Sequence, residues 1–353
     1  MTVYRGVMRK YRQFLPDIAE DNIVSIHEGN TPLVYAKNLS SFINPSLHIY
    51  LKYEGLNPTG SFKDRGMTVA VSMAKQQSSR AIICASTGNT SASASAYAAA
   101  ANIKAYVIIP EGKIALGKLS QAIVHDAMVI QVRGNFDEAL KLVREISQKY
   151  PVTLVNSVNP YRLQGQKTAA FEVCDQLARV PDYHCLPVGN AGNITAYWMG
   201  YREYRNQGYT DKLPVMAGFQ AEGAAPIVRG YAIKNPETVA TAIRIGNPAS
   251  WKKAEQARDE SGGVIDMVAD REILDAYKLV ARMEGVFCEP ASAASIAGLI
   301  KLNARGYFKP DSCIVCTLTG HGLKDPDTAL RAFQKPVVTD PVLDDVLKIM
   351  KFE

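Results

Sequence analysis

The chain has 353 residues, of which 47% are hydrophobic and 21% are charged, and its formal net charge is +6. This composition is that of an ordinary globular protein with enough material for two domains. No apolar run approaches the ~20 residues of a membrane span, and the N-terminus lacks the apolar core of a signal peptide, so we expect a cytosolic protein without a membrane partner.

Charge and cysteine content exclude two further classes. The positive residues are scattered, and only the segment from Arg5 to Arg12 approaches a basic run. Such a run is typical of a solvated face rather than a nucleic-acid arm, so no nucleic-acid partner is expected.

Six cysteines in so long a chain do not form a disulfide framework. Cys313 and Cys316 are spaced like metal ligands, but they lie in a predicted strand, where residues three apart point to opposite faces. We therefore expect no metal and six reduced, mostly buried thiols.

The first 50 residues predict a polar helical segment, a loop at residues 28–33 and an extended segment. Residues 57–65 then read Asn-Pro-Thr-Gly-Ser-Phe-Lys-Asp-Arg. The Pro-x-Gly turn stops the chain, and Ser61 is predicted to cap a helix that starts near Phe62. Lys63 lies in the first turn, where the helix dipole and partial burial disfavour the ammonium form. The neutral amine attacks aldehydes, whereas the alternative is an ordinary solvated lysine.

From residue 80 onward, strands and helices alternate. Strands are predicted at Arg80–Ala85, Lys104–Ile109, Met128–Val132, Val152–Val155, Tyr183–Val188, Pro214–Phe219, Val264–Val268 and Cys313–Leu318. Helices are predicted at Ala92–Ala101, Ile114–His125, Phe136–Tyr150, Arg162–Ala178, Ile194–Arg205, Ala224–Ala232, Asp270–Glu284 and Ala291–Arg305, and residues 247–263 are less regular. This alternation predicts an α/β protein with mostly parallel sheets flanked by helices. We place residues 51–156 in a smaller domain and residues 1–50 and 157–353 in a larger one.

Three polar loops follow predicted strands, at the ends where parallel sheets bind ligands. Residues 189–193, Gly-Asn-Ala-Gly-Asn, open a helix and suit a phosphate, or are a plain helix cap. The loop is not GxGxxG, which disfavours a dinucleotide and a nicotinamide-dependent oxidoreductase. Residues 86–90, Ser-Thr-Gly-Asn-Thr, suit a carboxylate, or are a polar turn with a cap. Residues 319–322, Thr-Gly-His-Gly, permit close approach of the backbone to a ligand, with His321 as an ordinary loop histidine.

Together these residues resemble pyridoxal-phosphate enzymes of fold type II, the tryptophan-synthase-β-like family, and within it the threonine synthases. The motifs that carry the resemblance span residues 26–330 and are Glu28–Leu33, Asn57–Arg65, Ser86–Ser91, Val155–Arg162 with Gly165–Lys167, Gly189–Asn193, Thr241–Gly246, Glu289–Ala293 and Leu318–Asp325. The resemblance implies two domains, each an open, mostly parallel twisted sheet flanked by helices, and a homodimer. It also implies pyridoxal 5′-phosphate as the cofactor.

The resemblance also implies a role for each site residue. Lys63 would be the Schiff-base lysine, Phe62 would pack on the cofactor ring, Asn89 would bond its 3′-hydroxyl, and Thr319 would face the pyridine nitrogen. A hydroxyl at that nitrogen makes the ring a tempered electron sink. The cofactor phosphate would be held by Gly189, Asn190, Ala191, Gly192 and Asn193. The substrate carboxylate would be held by Ser86, Thr87 and Thr90.

Asn156, Ser157 and Arg162 would separate this chain from dehydratases and cysteine synthases, because they suit a substrate phosphoryl group. The guanidinium of Arg162 is a forked donor for phosphate oxygens, and the alternative is a surface arginine at a helix start. Lys113 and Lys118 would add positive charge near the cleft.

The implied reaction converts O-phospho-L-homoserine and water to L-threonine and phosphate by γ-elimination and β-addition. Activation by S-adenosylmethionine is not expected, since no appended regulatory domain is evident. The alternatives are a pyridoxal-phosphate-dependent threonine or serine dehydratase and, from another class, a non-catalytic small-molecule binding protein.

Overall fold

The computed structural model describes residues 3–112, 116–333 and 336–351. The strands are β1 Leu33–Tyr35, β2 His48–Tyr53, β3 Ala81–Ala85, β4 Lys104–Pro110, β5 Met128–Val132, β6 Val152–Leu154, β7 Tyr183–Pro187, β8 Val215–Ala221, β9 Val264–Val268 and β10 Cys313–Leu318. The helices are α1 Val7–Lys10, α2 Lys37–Ile43, α3 Lys63–Gln76, α4 Asn89–Ala101, α5 Leu116–Val124, α6 Phe136–Lys149, α7 Pro160–Gln166, α8 Thr168–Leu177, α9 Gly192–Asn206, α10 Pro226–Arg229, α11 Trp251–Glu260, α12 Asp270–Glu284, α13 Pro290–Asn303, α14 Pro326–Ala332 and α15 Leu343–Met350.

The strands form two sheets. The larger sheet has six strands in the order β1-β2-β10-β7-β8-β9, and the smaller has four in the order β5-β4-β3-β6. Every neighbouring pair is parallel except β1 with β2. Helices cover the sheets, so the predicted α/β class with two mostly parallel sheets is confirmed. The predicted division at residue 51 falls inside β2, which pairs with β10 as far as Tyr53.

Several elements match their predicted bounds, and others do not. Strands β5, β9 and β10 and helix α12 begin and end at the predicted residues. The predicted helix at residues 162–178 is wrong as a single element, because it breaks at Lys167 into α7 and α8. The predicted helix at residues 224–232 shrinks to the four residues of α10. Residues 247–263 contain α11, and the chain continues beyond β10 into α14 and α15.

Strand β2 was not among the predicted strands. Its Lys52 is fully buried, at a position that an alternating strand pattern assigns to the solvent face. All six cysteines are buried, as predicted, and none of them is in a disulfide. No helix within the described ranges is long and apolar enough to cross a bilayer.

Arg65 in α3 forms the centre of a buried charge network. Its Nε and Nη2 donate to the two carboxylate oxygens of Glu54, each at 2.7 Å. Its Nη1 and Nη2 donate to Glu172 of α8 at 3.0 and 2.9 Å. Lys52 Nζ donates to Glu172 at 2.6 Å and to the carbonyl of Thr31 at 2.8 Å. The network therefore joins four parts of the chain, namely α3, α8, β2 and the loop at residues 28–33.

We expect Arg65→Met to lower the free energy of unfolding by about 3–5 kcal/mol, because two buried carboxylates lose their shared partner. The shift in the urea midpoint of the circular-dichroism transition measures this loss. The control is Arg271→Met, since Arg271 is exposed and lies 3.9 Å from Asp275; its effect should stay within about 0.5 kcal/mol. Equal effects of the two substitutions would show that the network does not stabilise the fold.

Candidate active site

The polar loops predicted to bind ligands converge between the two sheets. Residues 86–90 follow β3 and residues 156–157 follow β6, at the carboxyl end of the smaller sheet. Residues 189–193 follow β7 and residues 319–320 follow β10, at the carboxyl end of the larger sheet. Hydrogen bonds between loops of different sheets, described below, show that these ends face each other. The amino end of α3 lies among them.

Lys63 is the first residue of α3, as predicted to within a residue. The N-cap residue is Phe62 and not Ser61, although Ser61 Oγ accepts a long hydrogen bond of 3.4 Å from the Lys63 N–H. The half-buried Lys63 places Nζ 4.0 Å from the centroid of the Phe62 ring. Burial lowers the pKa of Lys63 to about 7, the charge of Arg162 acts in the same direction, and Glu289 opposes both. The neutral amine is therefore well populated at neutral pH, so Lys63 is not an ordinary solvated lysine.

Backbone hydrogen bonds fix the loop before Lys63 to the loop after β10. The Phe62 N–H donates to the Thr319 carbonyl at 3.0 Å, and the His321 N–H donates to the Gly60 carbonyl at 2.9 Å. On the other side, the buried Asp64 accepts from the Thr59 N–H at 2.7 Å. Lys63 thus stands on a rigid turn.

Glu289 is a site residue that the sequence reasoning did not single out. Its carboxylate accepts from Asn89 Nδ2 at 3.0 and 3.3 Å and from Thr319 Oγ1 at 3.0 Å. Burial raises its pKa, although these hydrogen bonds and the charge of Lys63 lower it. A Cβ on Gly320 would lie 2.6 Å from this carboxyl group, so a larger residue there would displace the Glu289 side chain. The signal in the sequence was the motif at residues 289–293, which opens α13 with glutamate.

The loop at residues 189–193 has the predicted strand–turn–helix form. Ala191, with φ of +63°, precedes α9, and no side chain of the described residues caps this 15-residue helix. The buried Asn193 Nδ2 has no partner within the described structure. Asn190 behaves differently, since its amide donates to Ser157 Oγ at 2.6 Å and accepts from the Ala249 N–H at 2.7 Å. The helix start and Asn193 are free to bind an anion, and Asn190 faces the loop after β6.

The loop at residues 86–90 is half-buried along its length and leads into α4. The Gly88 N–H donates to Ser86 Oγ at 3.2 Å, which holds the turn, and Asn89 begins the helix. Thr87 and Thr90 flank this helix start. The predicted carboxylate site thus has hydroxyl groups and a helix N-terminus side by side.

Asn156 connects the two loops of the smaller sheet. Its Oδ1 accepts from the Ala85 N–H and its Nδ2 donates to the Ala85 carbonyl, both at 2.9 Å. The side chain therefore fixes the end of β6 to the end of β3, which leaves one amide N–H for a ligand. Ser157 is half-buried beside Asn190.

Arg162 is 1% exposed, which excludes the surface arginine considered from the sequence. Its Nη1 donates to the Val155 carbonyl at 2.8 Å, but Nε and Nη2 are buried without a partner among the described residues. Helices α3 and α7 touch through glycines here, since a Cβ on Gly165 would lie 1.8 Å from the Arg65 carbonyl oxygen. This close approach sets Arg162 near enough to Lys63 to lower its pKa.

Among the lysines expected to add positive charge, Lys113 and the side chain of Lys118 lie outside the described residues. Lys324 provides a cation that the sequence reasoning missed. It is half-buried, hydrogen-bonds Gln121 of α5, and its Cε would lie 2.8 Å from a Cβ on Gly60. It thereby connects the loop after β10 with a helix of the smaller sheet.

Comparisons with known proteins agree with this geometry. The family model described as pyridoxal-phosphate-dependent enzyme matches residues 24–320. A threonine synthase of Halalkalibacterium halodurans is 60% identical over 330 residues, which cover 94% of this chain and 92% of that protein. A threonine synthase of Synechocystis is 56% identical over 351 residues, covering 99% of this chain and 91% of that protein. A threonine synthase of Methanocaldococcus jannaschii is 52% identical over 355 residues, which cover 98% of this chain and 87% of that protein.

Two solved structures share the fold. Maize serine racemase superposes with a TM-score of 0.75 at 18% identity, covering 93% of this chain and 97% of that one. The processed form of threonine deaminase isoform 2 from Solanum lycopersicum gives a TM-score of 0.75 at 21% identity, covering 94% of each chain. At such identity the likeness concerns the fold alone.

We expect reductive methylation of Lys63 in the cofactor-free protein to reach half its maximal rate near pH 7, because burial and Arg162 hold its pKa there. Mass spectrometry of the peptide that contains Lys63 gives the rate at each pH. Free Nα-acetyl-lysine amide in the same tube, with an ordinary pKa of about 10.4, is the control. A half-point above pH 9 would contradict the assigned environment.

Proposed function

The chain belongs to the threonine synthase family of pyridoxal-phosphate-dependent enzymes, and we propose that it converts O-phospho-L-homoserine and water to L-threonine and phosphate. The observation that carries this proposal is the guanidinium of Arg162. A buried cation without a counter-ion is costly unless a ligand supplies the opposite charge. Nε and Nη2 of Arg162 are unpaired within the described structure, and a phosphoryl group would accept hydrogen bonds from this guanidinium.

The residues present fit pyridoxal phosphate. Lys63 supplies an amine whose pKa is lowered to about 7, the form needed to hold the cofactor aldehyde carbon. The uncapped start of α9 and the unpartnered Asn193 Nδ2 would bind its phosphate. Phe62 is buried beside Lys63, and the Thr319 oxygen, whose proton goes to Glu289, would face the ring nitrogen. Asn89 and Thr319 are both held by Glu289, so their positions do not depend on the cofactor.

When bound, pyridoxal phosphate supplies an electron sink for the charge left at the substrate Cα. Lys63 would be the general base that takes the proton from Cα. Its pKa of about 7 leaves a large share of the amine unprotonated at neutral pH. Ser86, Thr87 and Thr90 at the start of α4 would bind the substrate carboxylate and so fix Cα near Nζ.

Phosphate would leave with the ester oxygen as the Cγ–O bond breaks, while Cβ gives up one proton and Cγ gains one. The hydroxyl of water would then bond to Cβ, and the remaining proton of water would go to the phosphate. Arg162, Ser157 and the amide of Asn190 would bind phosphate first as the ester and then as the free ion. A forked donor suits both forms, because the ester and the ion present oxygens with the same spacing. A dehydratase substrate has no such group, so an unpaired buried arginine favours the synthase over the dehydratase alternative.

We infer that the smaller sheet and its helices form the smaller domain, predicted as residues 51–156, and close over the substrate. The contact of Lys324 with Gln121 spans the two parts and would support a closed arrangement. Closure would exclude water until phosphate has left Cγ. The family resemblance supports a cytoplasmic homodimer.

The assay that tests the function measures threonine and phosphate from O-phospho-L-homoserine with the pyridoxal-phosphate-loaded protein. We expect the two products in equal amounts, with threonine giving far less 2-oxo acid and ammonia under the same conditions. Absence of phosphate release, or faster 2-oxo acid formation from threonine, would favour the dehydratase. Failure to take up the cofactor at all would support a non-catalytic binding protein.

We expect Arg162→Lys to raise KM for O-phospho-L-homoserine on the order of 100-fold, since a buried charged hydrogen bond to the ligand is worth about 2–5 kcal/mol. Cofactor uptake, followed by visible absorbance, should not change. Arg162→Met should weaken the substrate further without lowering the urea midpoint, because it removes an uncompensated buried charge. Arg271→Met is the control for surface arginines. Equal losses of cofactor and substrate affinity would contradict the role given to Arg162.

A further inference from the structure

A cavity lies on the smaller sheet, away from the residues of the candidate active site. Its volume is about 620 Å³, within the usual range of about 300–1,000 Å³ for small-molecule sites. Ile83 of β3 and Tyr106 of β4 form part of one wall, and Ile146 and Tyr150 at the end of α6 form another. Further along the same sheet face, Ala139 and Val143 of α6 are fully buried against the strands. The helix therefore covers one end of this face and leaves the other end open.

The cavity is apolar with positive charge at its edge. Its lining is aliphatic or aromatic apart from Arg80 and Lys104, and no carboxylate is among the described residues that form it. Both cations are exposed, and neither is in an ion pair within the described structure. Arg80 presents a forked donor that matches the two oxygens of a carboxylate. Apolar walls next to unpaired cations select a molecule with an apolar body and an anionic end.

We propose that this cavity is a binding site for a small amphipathic carboxylate, such as a medium-chain or aryl-alkyl carboxylic acid. The apolar body lies against Ile83, Tyr106 and Ile146, and the carboxylate binds Arg80 and Lys104. The exposed Ile130 and Tyr150, 39% and 63% accessible, lose contact with water when the ligand binds.

The cavity lies on one face of the smaller sheet, whereas the catalytic loops follow the carboxyl ends of its strands. Ala81 and Val152 are paired at the cavity. The lining reaches Ile108, which pairs with Ala85, the last residue of β3 before the loop at residues 86–90. Asn156 holds the same Ala85 through two hydrogen bonds. No residue of the catalytic loops is among the described residues that line the cavity, so the site is distinct from the catalytic cleft but shares its strands.

Isothermal titration of the pyridoxal-phosphate-loaded protein with octanoate tests the proposal. We expect saturable binding of one octanoate per chain, at least tenfold tighter than octanol, which lacks the charge, and than acetate, which lacks the apolar body. The double variant Arg80→Gln with Lys104→Gln should lose at least tenfold in octanoate affinity and none in octanol affinity. Ile130→Trp, at an exposed position, should also weaken octanoate by filling the mouth.

Three controls distinguish octanoate in this cavity from octanoate bound elsewhere on the protein. Arg271→Gln with Lys252→Gln removes the same charge from exposed positions and should leave octanoate affinity unchanged. Thr87→Ala should also leave it unchanged, whereas a loss there would place octanoate in the catalytic cleft and overturn the proposal. Sedimentation of the Ile130→Trp protein should give the mass of the unsubstituted protein. A change in mass would show that a second copy of the chain covers this surface, which also overturns the proposal.

Discussion

The position of the reactive amine depends on Arg65, which is buried between two carboxylates two residues after Lys63. Burial opposes ionisation of Glu172, yet the charges of Arg65 and Lys52 hold its pKa below the ordinary value. Glu172 also accepts from the backbone N–H groups of residues 30 and 31, each at 2.8 Å. Because every charge in this network has a partner, the amino end of α3 is fixed to β2 and α8. Such a network specifies one arrangement of the chain, since any other leaves a charge buried alone.

In contrast to the charges around Arg65, each of which has a partner, Arg162 has no counter-ion among the described residues. Its charge has two consequences that depend on one another. Together with burial, which is the larger cause, it lowers the pKa of Lys63 to about 7, so much of the amine is neutral at neutral pH. It also leaves two N–H groups for an anion, and the anion that binds them restores the balance of charge. A phosphate bound there would make the field on Lys63 more negative and so raise the pKa of its amine.

The sequence predicted the α/β class and the loops because these depend on local patterns. The strands β5, β9 and β10 are short, mostly apolar runs between turn residues, and such runs identify strands without tertiary information. Lys52 in β2 and the break at Lys167 depend on partners distant in the chain, so neither could be predicted locally. Glu289 illustrates the same limit in the site. A glutamate before a proline looks like a helix start, and its partners Asn89 and Thr319 lie 200 and 30 residues away.

Glu289 fixes two of the residues that are expected to contact the family's cofactor. Its carboxylate accepts from the Thr319 hydroxyl at 3.0 Å, while Ser292 is 2.9 Å from the same hydroxyl oxygen. The threonine side chain is therefore held from two sides. Because its one proton goes to Glu289, the Thr319 oxygen keeps only lone pairs for a further partner. The same carboxylate accepts from Asn89, so the loops after β3 and β10 are oriented together whether or not a ligand is bound.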